Sequence, residues 1–145
     1  MTPASPLDSS TALGILERGR VVTIDYADTT ASMAARPWTQ WVRTYRRHGP
    51  GAAPLANLGE QDVTCEVAVD QLHSVHPVTI DRSQAEFLRA HGLEALMASA
   101  RRAWEDTAHI GDLEAVKHRS RVSEGEALVD AGGLGAFRVL EWLVP

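Results

Sequence analysis

The sequence predicts an α/β fold with about three strands and several helices. A β-branched run, Val21, Val22 and Ile24, marks one strand over residues 20–26, and residues 136–144 form a second strand pattern that is apolar on both faces. Helical patterns occupy much of the sequence between them. A final strand inserted between two earlier ones runs antiparallel to at least one neighbour or needs a long crossover.

The composition is that of an ordinary globular chain. The 145 residues suit one domain, with 44% apolar and 23% charged residues. We therefore expect residues 1–10 to be a disordered lead and residues 11–145 to be a single α/β domain.

Charge and hydropathy exclude several classes of protein. The net charge of -5 disfavours a general nucleic-acid binder, and no apolar run approaches the roughly 20 residues of a membrane span. Cys65 is the only cysteine, so no internal disulfide forms and a cytoplasmic, reducing compartment is expected. We expect Cys65 to be an inert thiol in the core.

The first third of the chain shows a helix, a strand and an aromatic segment. Residues 11–18 predict a short helix beginning near Ser10 or Thr11, followed by the 20–26 strand. Within residues 36–48 the following side chains recur at helical spacing and predict one or two helical turns: Trp38, Trp41, Val42 and Tyr45.

The middle of the chain is less regular. Apolar residues alternate over residues 63–69, which predicts a strand, although a short helix beginning at Asp70 fits as well. Residues 75–80 predict a second strand, and Pro77 at its centre places that strand at a sheet edge.

The second half carries clear helix signals. Ser83 and Glu86 have the spacing of a capping box, and Gly92 suits the end of the helix that they open. Leu93 begins an amphipathic helix, and Asp112 suits the cap of another. A turn at Gly132 and Gly133 then leads into the last strand.

Acidic and hydroxyl side chains mark a candidate ligand site. Asp25 and Tyr26 follow the first strand, where open α/β sheets bind ligands, and the turn at Gly59 brings Asp62 and Thr64. The structural alternatives are a cap or turn role for Asp25, a capping role for Asp62, and a solvated surface position for Glu60.

Five segments, in order, resemble the MidA-like family of S-adenosylmethionine-dependent methyltransferases. Residues 19–26 are similar to its G-x-[LV]-x-x-I-D-Y-G strand, residues 44–48 to its L-R-x-Y-x-x-H segment, and residues 59–64 to its P-G-x-x-D-I-T segment. Residues 84–93 resemble its Q-x-x-F-L-x-x-x-G-I helix, and residues 133–140 its M-G-x-x-F-K-V-L strand.

The resemblance implies the back part of a Rossmann-like class I methyltransferase fold, with an antiparallel C-terminal strand between two others. The family's mitochondrial members are linked to arginine methylation on a subunit of respiratory complex I, so a protein substrate is implied. The residues that would grip such an acceptor are Asp25, Asp62 and Glu60. The residues that would line the pocket or orient a carboxylate are Tyr26, Tyr45, His48 and Thr64.

The chain departs from the family pattern mainly in length. In the family these segments form only the last part of a longer chain, whose earlier part carries the glycine-rich loop for S-adenosylmethionine. We therefore expect a separate N-terminal methyltransferase half as partner, or self-association through an open sheet edge. The alternative is a non-catalytic interaction module derived from the same fold.

Other chemistries have weaker signals. Asp70, His73 and His76 have spacing compatible with a metal, but a polar surface loop explains them better, and we expect no metal site. The arginines and aromatic residues of residues 36–48 are better explained by a packed segment with a solvated basic face than by nucleic-acid binding.

Overall fold

A computed structural model describes residues 13–145. The expected disordered lead and the helix start at Ser10 or Thr11 lie outside the described residues. The contacts between its residues divide the chain into two compact units. One unit comprises the described part of residues 1–21 together with residues 25–79 and 142–145, and the other comprises residues 22–24 and 80–141.

The first unit is built from short strands and two short helices. Its strands are β2 (Ala27–Asp28), β3 (Val42–Arg46), β4 (Gly49–Pro50), β5 (Asp62–Cys65) and β6 (Val67–Ala68). Its helices are α1 (Thr30–Ala34) and α2 (Val69–Val75), with a 3-10 turn at Trp38–Gln40. One antiparallel sheet has the order β4-β3-β5, and β2 pairs in parallel with β6.

The second unit contains three helices and most of a three-stranded sheet. The helices are α3 (Gln84–Ala90), α4 (Leu93–Thr107) and α5 (Leu113–Leu128), and a 3-10 turn at Leu134–Ala136 precedes the last strand. The sheet has the order β1-β8-β7, formed by β1 (Gly19–Asp25), β8 (Arg138–Val144) and β7 (Ile80–Ser83).

The three-stranded sheet confirms the predicted fold class. The last strand lies between the two earlier ones and pairs with β7 in antiparallel register, with Ile80 opposite Glu141 and Ser83 opposite Arg138. Val139 and Leu140 are buried at the centre of this strand. A central strand with apolar residues on both faces is what its sequence predicts.

Helix boundaries in the second unit follow the predicted caps. Ser83 and Glu86 form a complete capping box, and Gly92 adopts a φ of 91° after α3. Asp112 accepts a hydrogen bond from the backbone N–H of Ala115 at 2.9 Å and caps α5. These local signals are confirmed because each depends on residues only a few positions apart.

Three expectations were wrong. Trp38 to Gln40 form one 3-10 turn, but residues 42–46 form a strand in place of a helical turn. The strand expected over residues 75–80 begins only at Ile80, after Pro77, which cannot donate a ladder hydrogen bond. Cys65 is exposed and does not lie in the core.

No helix within residues 13–145 is long and apolar enough to cross a membrane.

Candidate functional site

The pairing of β3 with β5 brings four polar side chains to one face of a small sheet. Tyr45 lies opposite Asp62, and Arg43 lies opposite Thr64. Directly opposed residues in an antiparallel pair share a face, and residues two apart along a strand do so as well. The phenol, the carboxylate, the guanidinium and the hydroxyl therefore lie side by side.

Tyr26 joins this face through Arg43. The guanidinium carbon of Arg43 lies 5.4 Å from the centre of the Tyr26 ring, within the range of a cation–π contact. The backbone carbonyl of Tyr26 accepts a hydrogen bond from the N–H of Val67 at 3.1 Å. We call the resulting surface the β3–β5 face; its members are Tyr26, Arg43, Tyr45, Asp62 and Thr64.

The hydroxyl of Thr64 is unusual within the β3–β5 face. Its Oγ1 atom is buried and has no hydrogen-bond partner among the described residues. Leaving a buried polar atom unpaired costs roughly 1–3 kcal/mol, so such an atom in a native structure needs an explanation. Tyr45, by contrast, is 44% exposed and accessible to a ligand.

Asp25 is held by a local contact. Its Oδ1 atom accepts a hydrogen bond from the backbone N–H of Tyr26 at 2.8 Å. Neither Asp25 nor Asp62 takes part in an ion pair with another described residue. Asp25 is next in the chain to a member of the β3–β5 face, and its meeting with Asp62 at one substrate stays a prediction.

Glu60 and His48 lie near the ends of the β3–β5 pairing. Glu60 forms an exposed ion pair with Arg46 at 2.5 Å, so its carboxylate already has a cation. His48 is exposed in the two-residue turn between β3 and β4, where it and Arg47 have φ values of 66° and 48°. Positive φ at both central residues is the geometry of a two-residue type I′ hairpin turn, so the hairpin accounts for these values.

An ion network supports the segment that carries Tyr26. Arg36 donates to Asp28 at 2.8 Å and to Glu66 at 2.6 Å, and these acids flank the paired strands β2 and β6. The hydrogen bond to Glu66 raises the pKa of Arg36 above its usual value. This network joins residues about thirty positions apart and fixes β2 beside β6.

A second contact joins the two short helices of the same unit. The carboxylate of Asp70 accepts from the backbone N–H of Thr30 at 2.9 Å and from its hydroxyl at 3.1 Å. The backbone hydrogen bond lowers the pKa of Asp70 below its ordinary range. Asp70 therefore serves a structural contact, and no group of His, Cys, Asp or Glu within residues 13–145 is arranged to hold a metal ion.

The glycine cluster before the last strand forms a turn around Asp130. Gly132 donates to the carboxylate of Asp130 at 3.1 Å, and the N–H groups of Gly133 and Gly135 donate to its backbone carbonyl. A Cβ at Gly135 would approach the backbone of Val129 within 2.4 Å, so this glycine is required by close packing. These N–H groups are used within the turn and do not fit the cradle of a nucleoside cofactor.

Sequence reasoning missed Arg43. Arg43 and Tyr45 are two residues apart, which is the period of one face of a strand, while the aromatic spacing of the same segment indicated a helix. The β-branched residues Val42 and Thr44 beside Tyr45 were the signal that favours a strand.

No protein-family model matches the chain, and no curated protein matches it significantly. Two solved structures from Burkholderia thailandensis are similar to it. One is an uncharacterized COG1565 superfamily protein with 24% identity and a TM-score of 0.67, matched over 92% of this chain and 35% of its own. The other is a COG1565 superfamily member considered to be a methyl transferase, crystallised with S-adenosyl-homocysteine, with 25% identity and a TM-score of 0.65, matched over 92% of this chain and 34% of its own.

The chain thus spans about a third of the length of the solved structures that it matches.

Proposed function

We propose that this chain is the acceptor-side part of an S-adenosylmethionine-dependent methyltransferase of the MidA-like type. The single observation that carries the proposal is the register of β3 and β5, which sets Tyr45 opposite Asp62 on the β3–β5 face. The strand order β1-β8-β7 supports it, since the last strand of such enzymes lies between two earlier ones. The solved neighbour with bound S-adenosyl-homocysteine supports the cofactor class.

The acceptor that suits the β3–β5 face is a guanidinium, and we propose a protein arginine. Arg43 lies against Tyr26, so this face already receives one planar cation within the chain itself. A second guanidinium would lie against the exposed ring of Tyr45 and donate to the carboxylate of Asp62. Loss of a proton to Asp62 would leave a nucleophilic nitrogen.

The remaining predicted residues have supporting roles in this proposal. The unpaired hydroxyl of Thr64 is two residues from Asp62 on the same face and would donate to that carboxylate or to the acceptor. Asp25 would offer the second carboxylate, after release of the Tyr26 N–H. Glu60 and His48 would contact the acceptor chain outside the pocket.

S-adenosylmethionine, when bound, supplies an electrophilic methyl group on a sulfonium. The N–H groups of the glycines before β8 already donate to Asp130, so we propose that a separate N-terminal methyltransferase half holds the cofactor. The outer edge of β1 is the place where that half would add a strand, because β1 lies at one end of its sheet. The single cysteine favours a cytoplasmic setting for the assembly.

Isothermal titration with S-adenosylmethionine tests the proposal. The partner half would be the part of the Burkholderia thailandensis neighbour that this chain does not match, co-expressed with the chain. We expect no heat from the chain alone, heat from the reconstituted pair, and methyl transfer from the pair to an arginine-containing protein.

The second candidate is a non-catalytic interaction module that uses the same fold. The observation that favours it is the exposed edge strand β1, in which Ile24 is 47% exposed. Binding of the N-terminal half without any heat from S-adenosylmethionine, or without methyl transfer, would favour this module over the enzyme.

A further inference from the structure

The hairpin of α4 and α5 forms an open cavity that the proposed methyltransferase site does not use. Its volume is about 370 Å³, within the range of roughly 300–1,000 Å³ typical of small-molecule pockets. The apolar lining consists of Leu93, Leu96, Met97, Ala100, Ala103 and Leu128.

Close packing at one point forms the floor of the cavity. Gly125 of α5 is buried against Met97 of α4, and a Cβ at Gly125 would lie 2.6 Å from the Met97 side chain. A side chain at this position would therefore make Met97 shift. Met97 is a flexible, polarisable side chain of the kind that adapts to bound apolar groups.

One wall of the cavity carries two unpaired nitrogen groups. His118 has its Nδ1 atom buried without a hydrogen-bond partner among the described residues. Arg121 follows three residues later on α5, lines the same cavity, and takes part in no ion pair or hydrogen bond with a described residue. Residues three apart on a helix are neighbours on its surface, so both groups face one location.

The acidic residue of the cavity forms no ion pair with Arg121 or His118 among the described residues. Glu124 also lines the cavity, but its carboxylate accepts a hydrogen bond from the hydroxyl of Ser120 at 2.7 Å. An apolar lining beside the Arg121 guanidinium, which has no partner among the described residues, suits a molecule with an apolar body and one anionic end.

We propose that the cavity between α4 and α5 binds a small aliphatic monocarboxylate of the size of a medium-chain fatty acid. The chain lies over Met97 and Leu128, and the carboxylate accepts hydrogen bonds from Arg121, beside the imidazole of His118. The site lies within the helical hairpin and does not depend on the methyltransferase assignment.

The experiment is an NMR titration of the ¹⁵N-labelled chain with sodium octanoate. We expect saturable shifts of backbone amides in α4 and α5, at octanoate concentrations up to the millimolar range. 1-Octanol, which has the same chain without the charge, should bind at least about fivefold more weakly, because a hydrogen bond to a charged group contributes roughly 1.5–3 kcal/mol.

Two exposed arginines of the hairpin give a matched pair of variants. Arg121→Gln should weaken octanoate binding about tenfold, since one lost charged hydrogen bond is enough for that change. Arg102→Gln makes the same charge change on α4 outside this cavity and should alter affinity less than about twofold. Both positions are exposed, so both variants should fold.

A third variant tests the apolar part of the cavity. Ala103→Leu enlarges a half-buried side chain of the cavity lining. It should lower the affinity for octanoate without changing the preference for octanoate over octanol. The proposal is overturned if octanol binds as tightly as octanoate, if Arg102→Gln weakens binding as much as Arg121→Gln, if the shifts lie outside α4 and α5, or if no saturable binding appears.

Discussion

Tyr45 and Asp62 lie directly opposite each other in the antiparallel pairing of β3 with β5. The two residues are seventeen positions apart in the sequence, and the pairing places a phenol and a carboxylate on the same face of the sheet. Both are exposed, and the neighbouring hydroxyl of Thr64 is buried without a partner. An acceptor group with several N–H donors would contact the exposed phenol and carboxylate together.

Asp62→Asn should lower methyl transfer by the reconstituted pair about 100-fold, because a positioned general base contributes roughly 10²–10⁴ in rate. The affinity for S-adenosylmethionine should be unchanged, since the proposed cofactor site lies on the partner half. Steady-state rates and calorimetry measure the two effects separately. Asp106→Asn removes another exposed carboxylate, on α4, and should leave the rate unaltered. Equal losses of methyl-transfer rate in both variants would show that Asp62 is not part of the site.

Glu141→Gln should destabilise the chain by about 3 kcal/mol. Glu141 is 1% exposed at the centre of the sheet and is paired with Arg82, whose guanidinium also lies 5.0 Å from the ring of Phe87. Removing one member of a buried ion pair leaves an uncompensated charge. Urea unfolding measures the change in the free energy of unfolding.

Two further variants distinguish the effect of breaking the buried ion pair from the effect of losing an exposed charge. Glu126→Gln breaks the exposed pair with Arg101 and should cost less than about 1 kcal/mol. Replacing both Arg82 and Glu141 by methionine removes the unpaired charge and should restore most of the stability. If the double variant were as unstable as Glu141→Gln, the unpaired charge on Arg82 would not be the cause of the loss.

Local signals predicted much of the second unit. The capping box of Ser83 and Glu86, the glycine at position 92 and the aspartate cap at position 112 each act within a few residues, so sequence spacing determines them. The buried strand 138–144 was predicted because its residues are apolar on both faces.

The first unit depends on contacts between distant residues, and there the sequence was less informative. The aromatic residues of the segment that carries Tyr45 have helical spacing. The segment nevertheless forms a strand, because it pairs with β5. The same pairing decides which residues share a face. It places Arg43, which the sequence did not single out, beside Tyr45, Asp62 and Thr64, whose role in a site stays a prediction. The partners of Arg36 lie eight and thirty positions away, beyond the reach of any local pattern.

The contact between Asp70 and Thr30 should make stability depend on pH. The pKa of Asp70 is lower in the folded chain than in the unfolded chain, because its carboxylate accepts hydrogen bonds from Thr30. Its stabilisation is therefore present at neutral pH and is lost as the pH falls through the lowered pKa. We expect the difference in unfolding free energy between wild type and Asp70→Ala to shrink from neutral pH to about pH 3.

Urea unfolding at a series of pH values measures that difference. Asp106→Ala, which removes an exposed carboxylate of α4 that has no described partner, provides the comparison. A difference for Asp70→Ala that stays constant on acidification, or that changes in parallel with Asp106→Ala, would contradict the assigned role of the contact.

Ile24→Lys should reduce association of the chain with itself and with an N-terminal half. Within the described residues β1 is an end strand of its sheet, and Ile24 is 47% exposed on it. An unpaired strand edge with apolar side chains favours pairing with another strand, and a lysine on such an edge opposes it. Sedimentation velocity at increasing concentration should show a lower-mass species for the variant.

Val75→Lys introduces the same charge at another apolar residue, which is 68% exposed at the end of α2, and should leave association unchanged. A wild-type chain that stays monomeric at every concentration and does not bind the N-terminal half would rule out this edge as an interface.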